Sequence, residues 1–262
     1  MNNIKISVLA LLCVCAILLV SCGNVEETTS NSASAAVKGA AESESQMEEI
    51  QPYEILRAKE DTKTIAVDEE QQTKELKDAL NEFEFFYTEA DGAGDILMGM
   101  SPHCDEAAEK GKSCILPLLY IMGPSTDPVI VIGFNYITDE YMNIDTVEID
   151  TDNYRYTCEI TDETQKVKIT INNGQTEKLD EVAAHLATED DLDTLVDIID
   201  SSKVRLTFAK YNTAKPDLFE CEMPEEDKQA ITDTLNAYYL YLNASEKVRA
   251  KALADLETIE TE

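Results

Sequence analysis

The chain has 262 residues, of which 53 are acidic and 21 are basic, and its formal net charge is -32 at pH 7. This charge repels polyphosphate, and the sequence contains no basic patch, so nucleic-acid binding by phosphate neutralisation is excluded. Apolar residues make up 44% of the sequence, close to the share found in globular domains. The acidic excess therefore belongs to a chain that can form a core, and does not indicate global disorder.

Residues 1–21 are predicted to be a signal peptide. Lys5 precedes a continuous apolar run over residues 6–20, which is short for a membrane span. The run ends in the tetrapeptide Leu19-Val20-Ser21-Cys22. This tetrapeptide resembles the lipobox of bacterial lipoproteins. The resemblance implies that the signal is removed and that Cys22 is diacylated and becomes the first residue of the mature protein.

Residues 22–51 are predicted to be the lipidated Cys22 followed by a disordered acidic tether. The segment 23–51 holds seven Ser or Thr, five Ala, six Glu and no aromatic residue, so it cannot bury enough surface to offset the entropy of ordering. Two acyl chains on Cys22 hold a protein on a lipid bilayer. We therefore expect a location at the cell membrane, on its extracytoplasmic face. Seventeen Lys against four Arg, with Gly23 after the anchor, favour a Gram-positive envelope over a Gram-negative one.

Residues 52–262 are predicted to form a single α+β domain with a mainly antiparallel sheet and several amphipathic helices packed on one face. A subdivision near residue 174 is the alternative. The elements predicted in the first half are extended segments at 53–59 and 64–67, a helix at 68–81, a strand at 83–87, an irregular loop at 91–113 and a hairpin of strands at 115–122 and 129–136. Pro117 lacks a backbone donor and predicts an edge or a bulge near the start of the first hairpin strand.

The second half alternates between the two periodicities. Period-two patterning with one polar face predicts antiparallel strands that are covered on one side. The predicted elements are strands at 146–150, 154–160 and 167–171, a helix at 177–186, a helix from Thr188 to Ile199, strands at 204–208 and 219–223, a helix from Pro224 to Leu242 and a last helix after Ser245.

Four cysteines accompany Cys22 in the mature chain, and an even number outside the cytoplasm suggests disulfides. Cys104 and Cys114 flank a polar loop and are the first candidate pair. Cys158 and Cys221 lie on the apolar faces of predicted strands and are the second, with two separate buried thiols as the alternative. Four cysteines allow three connectivities, so spacing alone does not decide between them.

Histidine and carboxylate chemistry have few candidates. The chain has two histidines, so a histidine-based triad must use His103 or His185, and His185 is predicted to be an ordinary residue of the short helix 177–186. The acidic clusters at Asp145, at Asp150 with Asp152, and at residues 189–193 offer oxygen ligands for calcium. The segment from Asp150 does not match the calcium-loop pattern, because Arg155 stands where glycine is required and Thr161 where glutamate is required, and residues 189–191 fit better as acids in the first turn of a helix. No catalytic residue and no cofactor is assigned from the sequence.

The order of a helix, an aromatic strand, a hairpin and a late helix-strand-strand-helix unit, together with the lipobox, resembles uncharacterised cell-surface lipoproteins of Firmicutes. The resemblance implies a location and no activity. We therefore expect a non-catalytic binding or envelope-structural module, attached to the bilayer through Cys22 and bound by a protein or glycan partner. Two alternatives are an envelope hydrolase with a carboxylate site and a small solute-binding receptor.

Overall fold

The computed structural model describes residues 68–90, 94–160, 164–171, 176–254, 256 and 258–260. The predicted signal peptide, Cys22, the tether and the two extended segments before residue 68 lie outside the described residues. No helix in the described ranges is long and apolar enough to cross a membrane.

The helices of the described chain all lie close to predicted positions or fill the region that was predicted as a loop. Their bounds are α1 (Glu69–Asn81), α2 (Pro102–Glu109), α3 (Glu189–Asp200), α4 (Glu225–Leu242) and α5 (Glu246–Leu253). Asp68, Ser101, Thr188 and Ser245 cap the first, second, third and fifth helices, because each side chain accepts a hydrogen bond from a backbone N–H of the first turn.

The strands form two sheets. Their bounds are β1 (Glu84–Ala90), β2 (Gly94–Met100), β3 (Cys114–Ile121), β4 (Val129–Thr138), β5 (Thr146–Asp150), β6 (Arg155–Glu159), β7 (Gln165–Ile171), β8 (Thr176–Leu186), β9 (Arg205–Lys210), β10 (Asp217–Glu222) and β11 (Thr258–Glu260). The large sheet has the order β11-β1-β2-β3-β4-β8-β7, and the small sheet has the order β10-β9-β5-β6. The pair β1–β11 is parallel and the other described pairs are antiparallel. The predicted α+β class with a mainly antiparallel sheet is confirmed.

The predicted hairpin is confirmed as β3 and β4, which lie at the centre of the large sheet. Pro117 pairs with Ile132 of β4, whereas the pairing of β3 with β2 ends at Leu118. The N-terminal half of β3 therefore has a ladder on one side only, which is why a residue without an N–H donor is tolerated there.

The region predicted as an irregular loop contains β2 and α2. Gly99 of β2 faces Phe85 of β1, and a Cβ at Gly99 would lie 2.7 Å from the Phe85 ring, so the two strands need a glycine at this contact. Pro102 occupies the first turn of α2, where a missing N–H costs nothing, and Ser101 caps that turn. Glycine and proline are typical of loops, but glycine also occurs at close strand contacts and proline at helix starts. The loop prediction was wrong because these residues have the second kind of role here.

The segment predicted as a helix at 177–186 is strand β8. Its apolar residues Leu179, Val182, Ala183 and Leu186 have helical spacing, but β8 pairs with β4 on one side and β7 on the other. Residues 180–184 are all buried, so the strand shows no period-two alternation. Strands β7 and β8, which precede and follow residue 174 in the sequence, pair with each other in the large sheet.

The core has three clusters. One face of the large sheet packs with α2 around Met98, Leu118 and Cys104. Part of the opposite face packs against α1, α4 and α5. The remainder of that opposite face, including Phe134 of β4, packs against the small sheet, α3 and α4. The last arrangement brings β6, β8 and the start of α3 together.

Candidate functional site

A pocket of about 700 Å³ lies between β6, β4 and α3, and we call it the α3–β6 pocket. Its apolar lining residues are Ile115, Ile132, Phe134, Ile149, Leu195 and Val196. Its polar lining residues are Tyr154, Tyr156, Thr157, Cys158, His185, Thr194 and five aspartates at positions 190, 191, 193, 197 and 200. The pocket therefore combines an apolar floor with a wall of acidic and nucleophilic groups.

Helix α3 supplies the five aspartates of the pocket lining, and its N-terminus holds one of them in place. Thr188 and Asp191 form a capping box: the Thr188 Oγ1 atom accepts from the Asp191 N–H, and Asp191 Oδ2 accepts from the Thr188 N–H at 2.8 Å. This cap fixes the carboxylate of Asp191, which is one of the lining residues of the pocket. Asp190, Asp193, Asp197 and Asp200 follow at spacings of three and four residues, which places them along one helix face.

Asp197 is held by groups from the small sheet. Its carboxylate accepts hydrogen bonds from the Tyr156 hydroxyl at 3.1 Å, from the Asn153 side chain at 3.3 Å and from the Thr151 hydroxyl. Burial, followed by the contact with Asp197, raises the pKa of Tyr156 to about 12, so the phenol stays protonated and remains a donor. All three donors are neutral groups, so none of these contacts is an ion pair.

Two tyrosines line the mouth of the pocket. The rings of Tyr154 and Tyr156 are 6.0 Å apart between centroids and are tilted by 53°. Tyr154 is 64% exposed, which is unusual for a large aromatic side chain. Exposed aromatic faces beside carboxylates are suited to contact an organic cation.

Cys158 and His185 meet across the pocket although they belong to different sheets. Cys158 lies on β6 and His185 lies on β8, and the Cys158 Sγ atom is 3.4 Å from Nδ1 and 3.6 Å from Nε2 of the imidazole. The imidazole stacks on the Phe134 ring, with centroids 5.9 Å apart and planes inclined by 18°. The stacking fixes the ring orientation from the side of the large sheet.

Asp191 completes a chain of three groups. The Asp191 Oδ2 atom lies 3.4 Å from His185 Nε2, and the Cys158 Sγ atom is slightly closer to Nδ1 than to this same Nε2. The nucleophile, the imidazole and the carboxylate thus come from β6, β8 and α3 respectively. A nucleophile beside a base that is itself oriented by a third group is the general signature of an activated nucleophile.

The charges of His185 and Asp191 are coupled. Burial of the ring disfavours its charged form, but the contacts with Asp191 and Cys158 outweigh burial and raise the pKa of His185 to about 9. Burial also acts against the Asp191 carboxylate, but the contacts with His185 and Thr188 lower the pKa of Asp191 to about 2. Both groups are therefore charged at neutral pH.

The structure contradicts the predicted pairing of Cys158 with Cys221. The two residues lie on β6 and β10, the opposite edge strands of the small sheet, with β5 and β9 between them. Three strand spacings amount to about 14 Å, whereas a disulfide needs Cα atoms within about 7 Å. Both are half-buried free thiols. The alternative of two separate thiols applies.

Cys104 and Cys114 are also free thiols in the structure, so the predicted bridge between them is not formed there. Cys104 lies in α2 and not in a loop, and its thiol points to the carbonyl oxygen of Pro117 at 3.9 Å. Both side chains are fully buried in the same apolar cluster. Burial, followed by the charge of Asp227, raises the pKa of both thiols well above its ordinary value.

The acidic clusters considered for calcium have protein partners. Asp145 accepts from the backbone N–H groups of Tyr211 and Asn212, Asp150 is paired with two arginines, and Asp152 accepts from the Ser202 N–H. The acids at 189–191 form the first turn of α3, as predicted. Among the described residues, no group of three or more His, Cys, Asp or Glu side chains is arranged to hold a metal ion.

Sequence reasoning did not find the Cys158–His185–Asp191 group. The three residues are spread over 34 positions, and the assignment of 177–186 to a helix placed His185 away from any predicted strand face. One signal was available, because a chain with two histidines offers only two positions for an imidazole base. Comparison of the chain with protein-family models, with curated proteins and with solved structures found no match.

Proposed function

We propose that the chain is a lipid-anchored extracytoplasmic binding protein whose α3–β6 pocket takes a small organic cation with an apolar body. The observation that carries the ligand class is the combination of an apolar floor with five aspartates and no Lys or Arg among the described lining residues. Such a site attracts an ammonium or guanidinium group and offers its apolar part a surface to bury.

The charges of the pocket favour binding of a cation even when the ion pair between His185 and Asp191 is counted. The His185 imidazolium is paired with Asp191. Asp197 accepts hydrogen bonds from neutral donors, and Asp193 is an exposed lining residue. The faces of Tyr154 and Tyr156 add a favourable electrostatic contact for a cation. An anionic ligand of the same shape would meet repulsion from the same groups.

Attachment to the membrane is supported by the lipobox resemblance at Leu19-Val20-Ser21-Cys22. A Cys22→Ser variant expressed in a bacterium should lose incorporation of labelled fatty acid and leave the membrane fraction, since the acylated sulfur is absent. Retention of label and of membrane attachment by this variant would contradict the anchor.

Calorimetric titration of the full chain tests the ligand class. The probes are phenethylamine and agmatine, with phenethyl alcohol as the neutral counterpart and 3-phenylpropionate as the anionic one. The cations should bind at least about tenfold more tightly than the neutral and anionic probes, a difference of about 1.4 kcal/mol. Added salt should weaken the preference, because partly exposed charges are screened.

A matched pair of variants localises the binding. Asp193→Asn with Asp197→Asn removes two charges from the pocket, whereas Glu159→Gln with Asp217→Asn removes two charges from exposed positions on β6 and β10 outside it. We expect the first variant to lose the cation preference and the second to keep it. Equal losses in both variants would reduce the effect to net charge, and failure of both cations to bind would contradict the proposal.

A further inference from the structure

We infer that Cys158 is a nucleophile that forms a covalent acyl intermediate with esters or thioesters in the α3–β6 pocket, with His185 as the group that donates and accepts the proton. The nucleophile is inferred from the geometry of Cys158, His185 and Asp191 alone. The preference for a substrate whose leaving group carries a cation rests on the proposed function.

The contact distances place a reactive group against a proton carrier inside a cavity. Cys158 Sγ is within 3.6 Å of both ring nitrogens of His185, and His185 Nε2 is 3.4 Å from Asp191 Oδ2. All three side chains line the same pocket of about 700 Å³. A substrate in this cavity therefore reaches the sulfur without a rearrangement of the backbone.

The imidazole of His185 lies within reach of the Cys158 sulfur and is the group that can exchange a proton with it. An imidazolium carries hydrogens on both nitrogens, so Nδ1 can donate to Cys158 while Nε2 donates to Asp191. The raised pKa of His185 supports this state at neutral pH. The thiolate is the reactive species of a cysteine. The other charged or titratable groups lining the pocket are Tyr154 and Tyr156 from the small sheet and Asp190, Asp193, Asp197 and Asp200 from α3.

The two chemical steps balance with water as the only co-reactant. The Cys158 thiolate attacks the carbonyl carbon, the C–S bond forms and the bond to the leaving oxygen or sulfur breaks. The leaving group takes the Nδ1 proton of His185, which becomes neutral. Water then attacks the acyl group and gives a proton to His185, and the C–S bond breaks to return the thiolate and release the acid.

Asp191 is a positioning residue in this account, because it acts through His185 and does not reach the substrate carbonyl in either step. Asp191→Asn keeps an oxygen that can accept from the Thr188 N–H, so the cap is retained while the charge is removed. This variant should move the pH profile of acylation to lower pH, which a purely structural role would not do.

Acylation of the full chain tests the inference. The probes are acetylthiocholine, a cationic thioester, and ethyl thioacetate, a neutral one. Peptide mass spectrometry after acid quenching locates the acetyl group, and proton NMR measures acetate release. We expect acetyl on Cys158 with both probes, with a rate at least about tenfold higher for the cation. Cys158→Ser should abolish acetate release and Cys221→Ser should leave it unchanged.

Three results separate the two proposals. No acetyl on Cys158, or equal acetylation of Cys221 in the native wild-type protein, overturns the nucleophile without requiring any variant to fold. Acetyl on Cys158 with equal rates for both probes supports the nucleophile and contradicts the cationic ligand class. Calorimetric binding of phenethylamine without acetylation of Cys158 supports the ligand class and overturns the nucleophile.

Discussion

The two edge strands of the small sheet, β6 and β10, carry similar side chains in different surroundings. Each strand alternates exposed and half-buried residues, and each presents one half-buried thiol, Cys158 on β6 and Cys221 on β10. Each also places one aromatic residue two positions before the thiol, Tyr156 and Phe219. From the strand alone, the two cysteines are equivalent.

The difference lies in what faces each strand. Cys158 meets His185 of β8, which is paired with Asp191 of α3. Cys221 has no such partner among the described contacts: burial, followed by the charge of Asp227, raises the pKa of Cys221 to about 11. Near Cys221, Phe219 packs edge-on against Tyr136 with centroids 5.3 Å apart. We therefore expect the reactivity of each thiol to depend on the elements packed across the sheet, and not on the strand that bears the thiol.

The largest expected difference between the surroundings of the two strands is a pH-dependent contribution to the free energy of unfolding from the His185–Asp191 pair beside β6. The pKa of His185 rises from 6.5 to about 9 on folding, so the stabilisation is fully present below pH 6.5 and is lost as the pH rises through 9. The shift corresponds to at most about 3 kcal/mol of unfolding free energy. The lowered pKa of Asp191 reflects the same interaction at acid pH. The stabilisation from Asp191 is present above pH 3.8 and is lost as the pH falls towards 2.

Urea unfolding of the wild type and of His185→Gln at pH 6, 7.5 and 9 measures this effect. The wild-type free energy of unfolding should fall across the series relative to that of the variant, because only the wild type loses the proton of residue 185. Cys221→Ser should follow the wild-type curve, since β10 has no part in the interaction. Parallel curves for the wild type and His185→Gln would contradict the ion pair.

The sequence correctly predicted those elements whose local pattern agrees with their tertiary environment. The strands β3 and β4 are apolar runs separated by Gly123 and two prolines, and the hairpin is confirmed. Thr188 with Asp191 predicted the start of α3, and the structure has a capping box there. In these segments the local signal and the tertiary environment agree.

The sequence was insufficient where tertiary pairing overrides the local pattern. The apolar residues of β8 have helical spacing, and its buried acids would usually argue against a central strand. The structure supplies partners for both acids: the fully buried Glu181 carboxylate accepts from the backbone N–H groups of residues 142–144, and Asp180 accepts from the Asn135 side chain. The candidate site was missed for the same reason, because it depends on tertiary contacts. The sequence predicted Asp191 only as part of the helix cap, but its carboxylate also contacts His185. The local pattern around Asp191 therefore predicted its role in the cap and not its contact with His185.

The relative alkylation rates of Cys158 and Cys221 in the native wild-type chain test the central claim most directly. Iodoacetamide is small and neutral, so it does not depend on the ligand class, and peptide mass spectrometry follows both sites in one sample at pH 7. The account predicts that Cys158 reacts at least about tenfold faster than Cys221, and that His185→Gln removes most of this difference. Equal rates at the two sites, or a ratio unchanged by His185→Gln, would contradict it.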